Sequence, residues 1–576
     1  MAKITDNSDE LSFHQLTSAS AMLLVPLFQR PYVWTNKQLE RMISEIDAIA
    51  DKEDVSRFLG AVIAVTRPTN PSQPIPYEIV DGQQRLTTLY LFLLAAAQEA
   101  ARKGKSEYAR GLVSKYLIVE WAQDVPSNTK LQPSFGDRAQ FSTIFEKVSK
   151  TGDLADWLPV KLRLPSTQKA DDGPLLKQYR RIQKYLLESV NDKGFERLEQ
   201  IVEAVTSGLT FVFILLKDPG SATTVFEGLN DPGVPISVGD LVKNEIFSRI
   251  GYDESAARNL HDNEWVPFQK KFGGSFDEYF FPYCVIYKSG VSRTEMFGEL
   301  RKLWVGLDAA AIIRKLDEYS KPFQALRGDV HAANSYGKSV SEAIRRLVEL
   351  KQPSSTFPFL MRLLHEFELG KVSKQDVLGS LEILESFLVR RAICGVEPTG
   401  LLGLFRTMWS LAGDHPSAKS ISTIILKRLT VEWPSDQRLI ESIKTRPIYG
   451  SSIARYAVLE YDRSLGGDHP TIQDFSIEHV MPRAYSEAWS SVVSRIQHGK
   501  LKDLWSNLVP LSKGMNSMVD QDGFLTKKVI FKNESMFAST RQLGTSYEKW
   551  DEEEIAKRSG VISSWAVQRW KKPAEN

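Results

Sequence analysis

The sequence predicts an α+β multidomain chain, and three observations predict it. Its 576 residues exceed what one hydrophobic core organises, and 42% apolar with 10% aromatic residues is ample for two or three packed interiors. In PYEIVDGQQRLTTLYLFLLAAAQEA the apolar spacing switches from strand-like to helical at one Asp-Gly turn. Between the two ends the pattern is mostly helical, with apolar residues three and four apart and no fixed repeat. The domains expected are an α/β unit over 1–250, a helical unit over 251–450 and a small C-terminal unit over 451–576.

In VPLFQRPYVW, Gln29 and Arg30 interrupt an apolar run just before Pro31, so a strand ends with two polar side chains at its tip. They either join a phosphate pocket or read nucleic acid. Tyr32 and Trp34 can stack on a base, but packing is the commoner use of such rings. After the apolar FLGAVIAV, the β-rich YEIV runs into Asp81-Gly82, and Gln83 to Thr88 straddle the turn and a helix N-terminus. Free N–H groups there attract anions. Gly82 lets the backbone approach a phosphate, Arg85 can pair with it bidentately, Gln84 or Thr87 can donate further, and Asp81 can hold a metal or a ribose hydroxyl. An ordinary capped helix is the alternative.

LTFVFILL reads as a core strand, and Asn230 to Gly233 as a turn. Ser237 then starts a helix on which Asp240, Lys243 and Asn244 share a face, either towards solvent or towards a partner. KSVSEAIRRLVELKQ and KQDVLGSLEILESFLVRRAICG are amphipathic helices of the middle unit. Arg390 and Arg391, at the end of the second, either touch DNA phosphates or pair internally. SRIGYDESAARN near 250 and the stretch 451–475 look like joins.

FSIEHVMPRAYSEAW sets Glu478 beside His479, and NLVPLSKGMNS supplies Asn507 and Asn516. Acid-His followed by Asn is the sparse signature of a one-metal nuclease. The chemistry needs an imidazole to take a proton from water and a divalent cation to hold the phosphate and the departing oxygen. His479 is the base, and Glu478 and Asn516 are hard oxygen ligands for Mg²⁺ or Mn²⁺ on a short hairpin and the helix after it. Asn507, in a strand, can instead steady the imidazole. A single histidine is more often structural, so the neighbouring residues carry the argument.

Composition is neutral on partners. Lys and Arg number 73 against 71 acidic residues, a formal charge of +2, so any DNA binding relies on local basic patches. Lys527 and Lys528 are offset by the acidic run Asp551 to Glu554. Two cysteines, Cys284 and Cys394, exclude a Cys-rich zinc site and fit a reducing cytoplasm. The opening MAKITDNSDELSF lacks the features of a secretory signal, and LYLFLLAAA and LTFVFILL fall short of the roughly twenty residues that cross a membrane. A cytoplasmic protein without a membrane partner is expected. No GxxxxGK[ST] occurs, so any nucleotide chemistry is not of the P-loop kind.

Taken together, the motifs resemble the GmrSD-type modification-dependent restriction endonucleases. Glu478-His479-Val480-Met481-Pro482, Trp489, Asn507-Leu508, Asn516-Ser517, Phe524 and Lys527-Lys528 resemble that family's C-terminal His-Me finger (HNH) domain, of ββα-metal fold. Arg483 departs from the Gln expected after the proline. VPLFQRPYVW and EIVDGQQRLTTL resemble its N-terminal domain, of ParB/sulfiredoxin-like fold, where Asp-Gly-Gln-Gln-Arg is tied to NTP binding and hydrolysis. Phe-x-x-Leu-Asn followed by Asp-Leu-x-Lys-Asn matches as well, which implies Asn230, Asp240, Lys243 and Asn244 as the other wall of a nucleotide pocket holding Gln29, Arg30, Asp81, Gly82, Gln83, Gln84, Arg85 and Thr87.

The resemblance implies an NTP-dependent, metal-dependent DNA endonuclease or nickase of bacterial anti-phage defence, restricting modified DNA. Its partners would be double-stranded phage DNA, touched by Arg390, Arg391, Lys527 and Lys528, and an NTP (GTP, ATP or CTP). Rival readings are a nucleotide-dependent DNA-binding switch without nuclease activity and a suicide nuclease effector. Oligomeric state stays open, a homodimer included.

Overall fold

The computed structural model describes residues 5–17, 21–26, 29–66, 75–119, 129–152, 154, 172–216, 237–250, 254–466, 475–516 and 523–574. The chain divides into two compact units, residues 1–263 and 264–576.

The first unit is built on a mixed sheet. Its strands are β1 (Thr5–Ser12), β2 (Ala21–Leu24), β3 (Arg57–Thr66), β4 (Ile75–Asp81), β5 (Leu131–Gln132) and β6 (Leu209–Leu216), in the order β1-β6-β3-β4-β2-β5 among the described residues. LTFVFILL is the strand β6, flanked by antiparallel β1 and parallel β3. Its position between two strands explains its near-continuous apolar run. Helices α1 (Asn36–Ala50), α2 (Gln83–Arg102), α3 (Pro174–Lys193) and α4 (Val238–Ser248) complete what the argument needs. α2 is buried from Gln83 to Ala101 except at the half-buried Arg85, in a core with α1, α3 and the sheet. That central position accounts for LYLFLLAAA, since a helix apolar all round must be enclosed. No described helix is long and apolar enough to cross a membrane.

The second unit begins as a stack of helices, among them α5 (Phe276–Tyr287), α6 (Lys338–Glu349), α7 (Phe357–Glu368), α8 (Lys374–Ile393), α9 (Leu401–Ala412), α10 (Ala418–Leu426), α11 (Asp436–Thr445) and α12 (Ser452–Ser464). A two-stranded antiparallel hairpin follows, β7 (Phe475–His479) against β8 (Leu508–Ser512), with His479 opposite Leu508 and Glu478 opposite Val509. Then come the single turn α13 (Lys513–Asn516), α14 (Phe524–Glu534) and α15 (Glu552–Arg569).

The stretch 451–475 is a join only in part. Residues 452–464 form α12, which buries Ile453, Tyr456 and Leu459 and carries part of an ionic network. Glu385 of α8, 1% exposed, accepts from Arg346 Nε (2.8 Å), the Tyr456 hydroxyl (2.8 Å) and Trp570 Nε1 (3.1 Å), and pairs with Arg569 (2.5 Å). Arg463 bridges Glu349 (2.6 Å) and Glu460 (2.7 Å). Burial pushes the Glu385 pKa up, but Arg569 and Arg346 outweigh it and hold the carboxyl below its ordinary value. Four helices thus share charges that cannot be desolvated separately, so the middle helices and the C-terminal part form one unit.

Arg390 and Arg391 belong to the same interior, which corrects the DNA contact expected of them. Arg390 is fully buried, donating to the carbonyls of Trp570 (2.5 Å) and Pro434 (3.1 Å) and pairing with Asp436 (2.6 Å). Arg391, 4% exposed, donates to the carbonyls of Glu432 (2.7 Å) and Glu397. Both guanidiniums close the ends of neighbouring segments, and neither reaches a surface where a phosphate could meet it.

Candidate functional site

The hairpin end holds a cluster of polar groups in a mostly dry setting. His479 closes β7 at 7% exposure, with Glu478 beside it at 9%. Asp503 Oδ1 lies 3.0 Å from His479 Nε2. A carboxylate only accepts, so Nε2 carries the hydrogen and Nδ1 is the lone-pair nitrogen of the neutral imidazole. The ring of Tyr449 meets the imidazole edge-on at 4.2 Å between centroids, and Arg483 lies over the other part of this cluster, 5.0 Å from the Tyr449 ring centre and 3.4 Å from Asp503.

Backbone pairing brings these groups together from distant parts of the sequence. The N–H groups of Ile448 and Tyr449 donate to Asp503 O (3.0 and 3.3 Å), and Pro447 bridges to Leu504. Asn507 fixes the next segment. Fully buried, its amide accepts from Met481 N–H (2.8 Å) and Trp550 Nε1–H (2.9 Å) and donates to Met481 O and Lys502 O, both at 2.8 Å. It therefore holds the chain that leaves His479, whose imidazole hydrogen-bonds to Asp503 instead. His498 caps the same loop at Pro482 O (2.8 Å).

Burial lowers the His479 pKa below the ordinary value, Arg483 and Lys527 push the same way, and Asp503 opposes them. The imidazole is thus biased towards the neutral form, the one that can take a proton. Lys527 was expected at a DNA surface, but its ammonium is fully buried, 2.7 Å from Glu478 Oε1 and 2.9 Å from His479 O. A buried carboxylate needs a counter-cation, and Lys527 provides it. Lys528 is partly exposed and pairs with Glu548 at 2.6 Å. Asn516 ends α13, which packs against both hairpin strands.

Asp503 and Tyr449 escape the sequence reading. Asp503 sits in GKLKDLW among lysines and resembles any solvated acid, while Tyr449 precedes α12 with no motif around it. An acid some two dozen residues after the candidate base, in a turn next to a buried Trp, is the only available signal.

In the first unit, β4 ends at Asp81 and α2 starts at Gln83. Gly82 between them has φ +89°, and a Cβ there would sit 2.8 Å from Val62 Cγ2. Only glycine fits this turn. The residues after it grip the QRPYVW segment through its backbone. Val33 N–H donates to Gln84 Oε1 (2.9 Å), Gln84 Nε2 to Pro31 O (3.4 Å), and Gln83 Nε2 to Arg30 O (3.3 Å). In return Gln29 Nε2 donates to Val80 O (3.0 Å), while its buried Oε1 has no hydrogen-bond partner among the described residues. Arg85 donates to Leu59 O (2.5 Å) and lies 3.6 Å from Asp81. Thr87 is buried, 6% exposed.

Tyr32 is 2% exposed, with its hydroxyl 2.8 Å from Thr88 Oγ1, so it packs. Its N–H donates to both oxygens of Asp137 (3.0 and 2.9 Å), whose pKa burial pushes up to about 6 against the lowering effect of Ser134 and Tyr32.

On α4, the Ser237 hydroxyl caps Asp240 N–H at 3.1 Å. Asp240, Lys243 and Asn244 are all half-buried. Burial pushes the Lys243 ammonium down to about 8, with Asp240 drawing it up, and burial likewise lowers the His261 pKa, Asp262 opposing and Lys243 adding to the fall. Asn230 lies outside the described residues.

Two family matches cover well over half of the chain. Residues 13–247 match the domain described as the GmrSD restriction endonuclease, N-terminal domain, and residues 433–565 the one described as the GmrSD restriction endonucleases, C-terminal domain. No curated protein matches the chain.

Proposed function

The chain belongs to the GmrSD family of restriction endonucleases, with the N-terminal and C-terminal domains on one polypeptide, and from that premise we propose that it hydrolyses DNA at His479 under control of a nucleotide bound by its N-terminal domain. The observation that carries this reading is the His479–Asp503 pair at 3.0 Å, beside Glu478, inside the matched C-terminal domain. Asp503 keeps the proton on Nε2, so Nδ1 faces the work of a general base. Water loses a proton to Nδ1 as its oxygen bonds to phosphorus, the opposite P–O ester bond breaks, the departing oxygen takes a proton from solvent, and the imidazolium that forms is stabilised by the adjacent carboxylate.

The donor chemistry fits a divalent cation such as Mg²⁺ or Mn²⁺. Glu478 and Asn516, which follows the second hairpin strand on α13, would hold it, the ion sharing the Glu478 carboxylate with the Lys527 ammonium 2.7 Å away. Such an ion would supply charge neutralisation at the phosphodiester oxygens. Among the described residues no three His, Cys, Asp or Glu side chains converge.

For the nucleotide we propose Asp81, Gly82, Arg85, Thr87 and the unsatisfied Gln29 Oε1 as the pocket floor, with Arg30, Gln83 and Gln84 shaping its rim and Asn230, Asp240, Lys243 and Asn244 its other wall. A ribose hydroxyl suits the Gln29 acceptor. Lys243, softened by burial, is suited to meet phosphate charge, which would restore its proton. Occupancy or turnover then licenses cleavage of phage DNA, with a modified base or backbone as the recognised feature.

The test is plasmid cleavage by the purified chain with Mg²⁺, with and without GTP, ATP or CTP, on unmodified, glucosylated hydroxymethylcytosine and phosphorothioate DNA. Cleavage of one modified substrate that needs an NTP and vanishes in His479→Ala is the expected result. Full cleavage by His479→Ala overturns the site. NTP hydrolysis without cleavage of any substrate would favour the DNA-binding switch.

A further inference from the structure

Several arginine side chains of the second unit pair with carboxylates, as Arg346, Arg390, Arg463 and Arg569 illustrate. Arg293, Arg362 and Arg406 are among those that pair with no carboxylate among the described residues. Aromatic rings hold them instead. Arg293 and Arg406 share Phe281 of α5, their guanidinium carbons 4.5 and 5.5 Å from its centroid. Arg362 of α7 lies 4.5 Å from the ring of Trp409, which is one turn along α9 from Arg406.

A fourth arginine reaches the same helix. Arg428 Nη2 would stand 3.6 Å from a Cβ placed on Gly403, one turn before Arg406. Arg406 donates to Val291 O (2.8 Å), and its buried Nε has no hydrogen-bond partner among the described residues. Arg293 is exposed, and Arg362 and Arg406 are half-buried.

α9 (LLGLFRTMWSLA) and α10 (AKSISTIIL) contain no Asp or Glu. Glu366, one turn along α7 from Arg362, pairs with Lys371 (3.0 Å), while Glu295, two residues from Arg293, accepts from the Ser292 hydroxyl (2.6 Å) and keeps its charge. Two guanidiniums sharing one ring lie within roughly a Debye length, about 10 Å at 0.1 M salt, so they repel one another in the free protein. Stacking on a ring fixes a guanidinium plane yet leaves its N–H edge open to a phosphate, which a carboxylate partner would not.

We infer that the arginines gathered on Phe281 and Trp409 form a binding surface for the phosphate backbone of duplex DNA on the middle helices, outside both matched domains. The inference rests on the proposed function only in taking duplex DNA as the ligand. A chain with a formal charge of +2 cannot hold DNA by its overall field, so such a local patch supplies the grip.

The experiment measures binding of a fluorescein-labelled 30-base-pair duplex by anisotropy across a salt series. The full chain carries His479→Ala, so the duplex stays whole and binding is read apart from cleavage. Replacing Arg293, Arg362 and Arg406 by Gln together should weaken binding about tenfold or more and reduce the slope of log K against log salt by about 2 to 3, near 0.9 per lost phosphate contact. The three Arg→Lys changes should recover most of the slope. An unchanged slope in a triple Gln variant with intact circular dichroism overturns the inference, as does a loss confined to single-stranded RNA. If the triple variant does not fold, Arg293→Gln alone decides, with a slope smaller by about 1 expected and an unaltered slope refuting.

Discussion

Replacing Asp503 by Asn tests the chemistry most directly. The carboxylate lies 3.0 Å from His479 Nε2 and is 21% exposed, so it acts through a charge-assisted hydrogen bond with limited solvent screening. A hydrogen bond to a charged group contributes roughly 1.5–3 kcal/mol, and in the proposed mechanism the imidazolium charge appears only as His479 takes the water proton. The loss should therefore fall on the transition state, lowering kcat about 10- to 100-fold at 1.36 kcal/mol per decade while KM barely moves.

The pH profile should shift as well. Asp503 opposes the lowering of the His479 pKa by burial, Arg483 and Lys527, so without it the pKa falls further and the acid limb moves to lower pH. The associated stability has a definite sign. Because the folded pKa lies below the unfolded value, His479 stabilises the fold above about pH 6.5, and that contribution is lost as pH falls through the folded pKa. Single-turnover cleavage against pH, with the imidazole nitrogens followed by ¹⁵N NMR, reads both effects. Tyr449→Phe keeps the ring against His479 and should leave both intact. A folded Asp503→Asn enzyme with the wild-type plateau and acid limb would refute the reasoning.

Two further predictions concern the scaffold. Gly82→Ala forces φ +89° on an L residue and drives a methyl to 2.8 Å from Val62 Cγ2, costing about 2–4 kcal/mol; hydrogen exchange at the start of α2 should accelerate, and unchanged protection would count against the reading. Glu385→Ala leaves Arg346 and Arg569 without their shared carboxylate and should cost about 3–5 kcal/mol, seen as a fall of several degrees in the thermal unfolding of the second unit, whereas an unmoved transition would show that the network contributes little.

The sequence disclosed elements better than partnerships. The β4-to-α2 switch, the core strand LTFVFILL and the Glu478-His479 hairpin all follow from local periodicity and turn chemistry, and the structure contains each of them. What local patterns could not reveal is which side chain meets which. Asp503 reaches His479 only because residues 447–449 pair with 503–504, a contact between segments more than fifty residues apart. Lys527 looked like a surface cation because charge is usually solvated, and its burial depends on Glu478 waiting inside. Arg390 and Arg391 misled for the same reason. The stretch 451–475 looked like a linker because its glycines and polar residues cluster late, while the apolar face of α12 before them was overlooked.

The grip of Gln83 and Gln84 on the segment from Arg30 to Val33 has a consequence for divergence. Both amides hold main-chain atoms, which every amino acid supplies, so the clasp does not depend on which side chains the segment carries. Pro31 and Val33 point outward from it, whereas Tyr32 is committed to the core. A lineage could exchange those outward residues and acquire a new specificity at the rim without rebuilding the turn beneath, much as a socket accepts different tools. Changing either glutamine would have the opposite effect, releasing the whole segment at once.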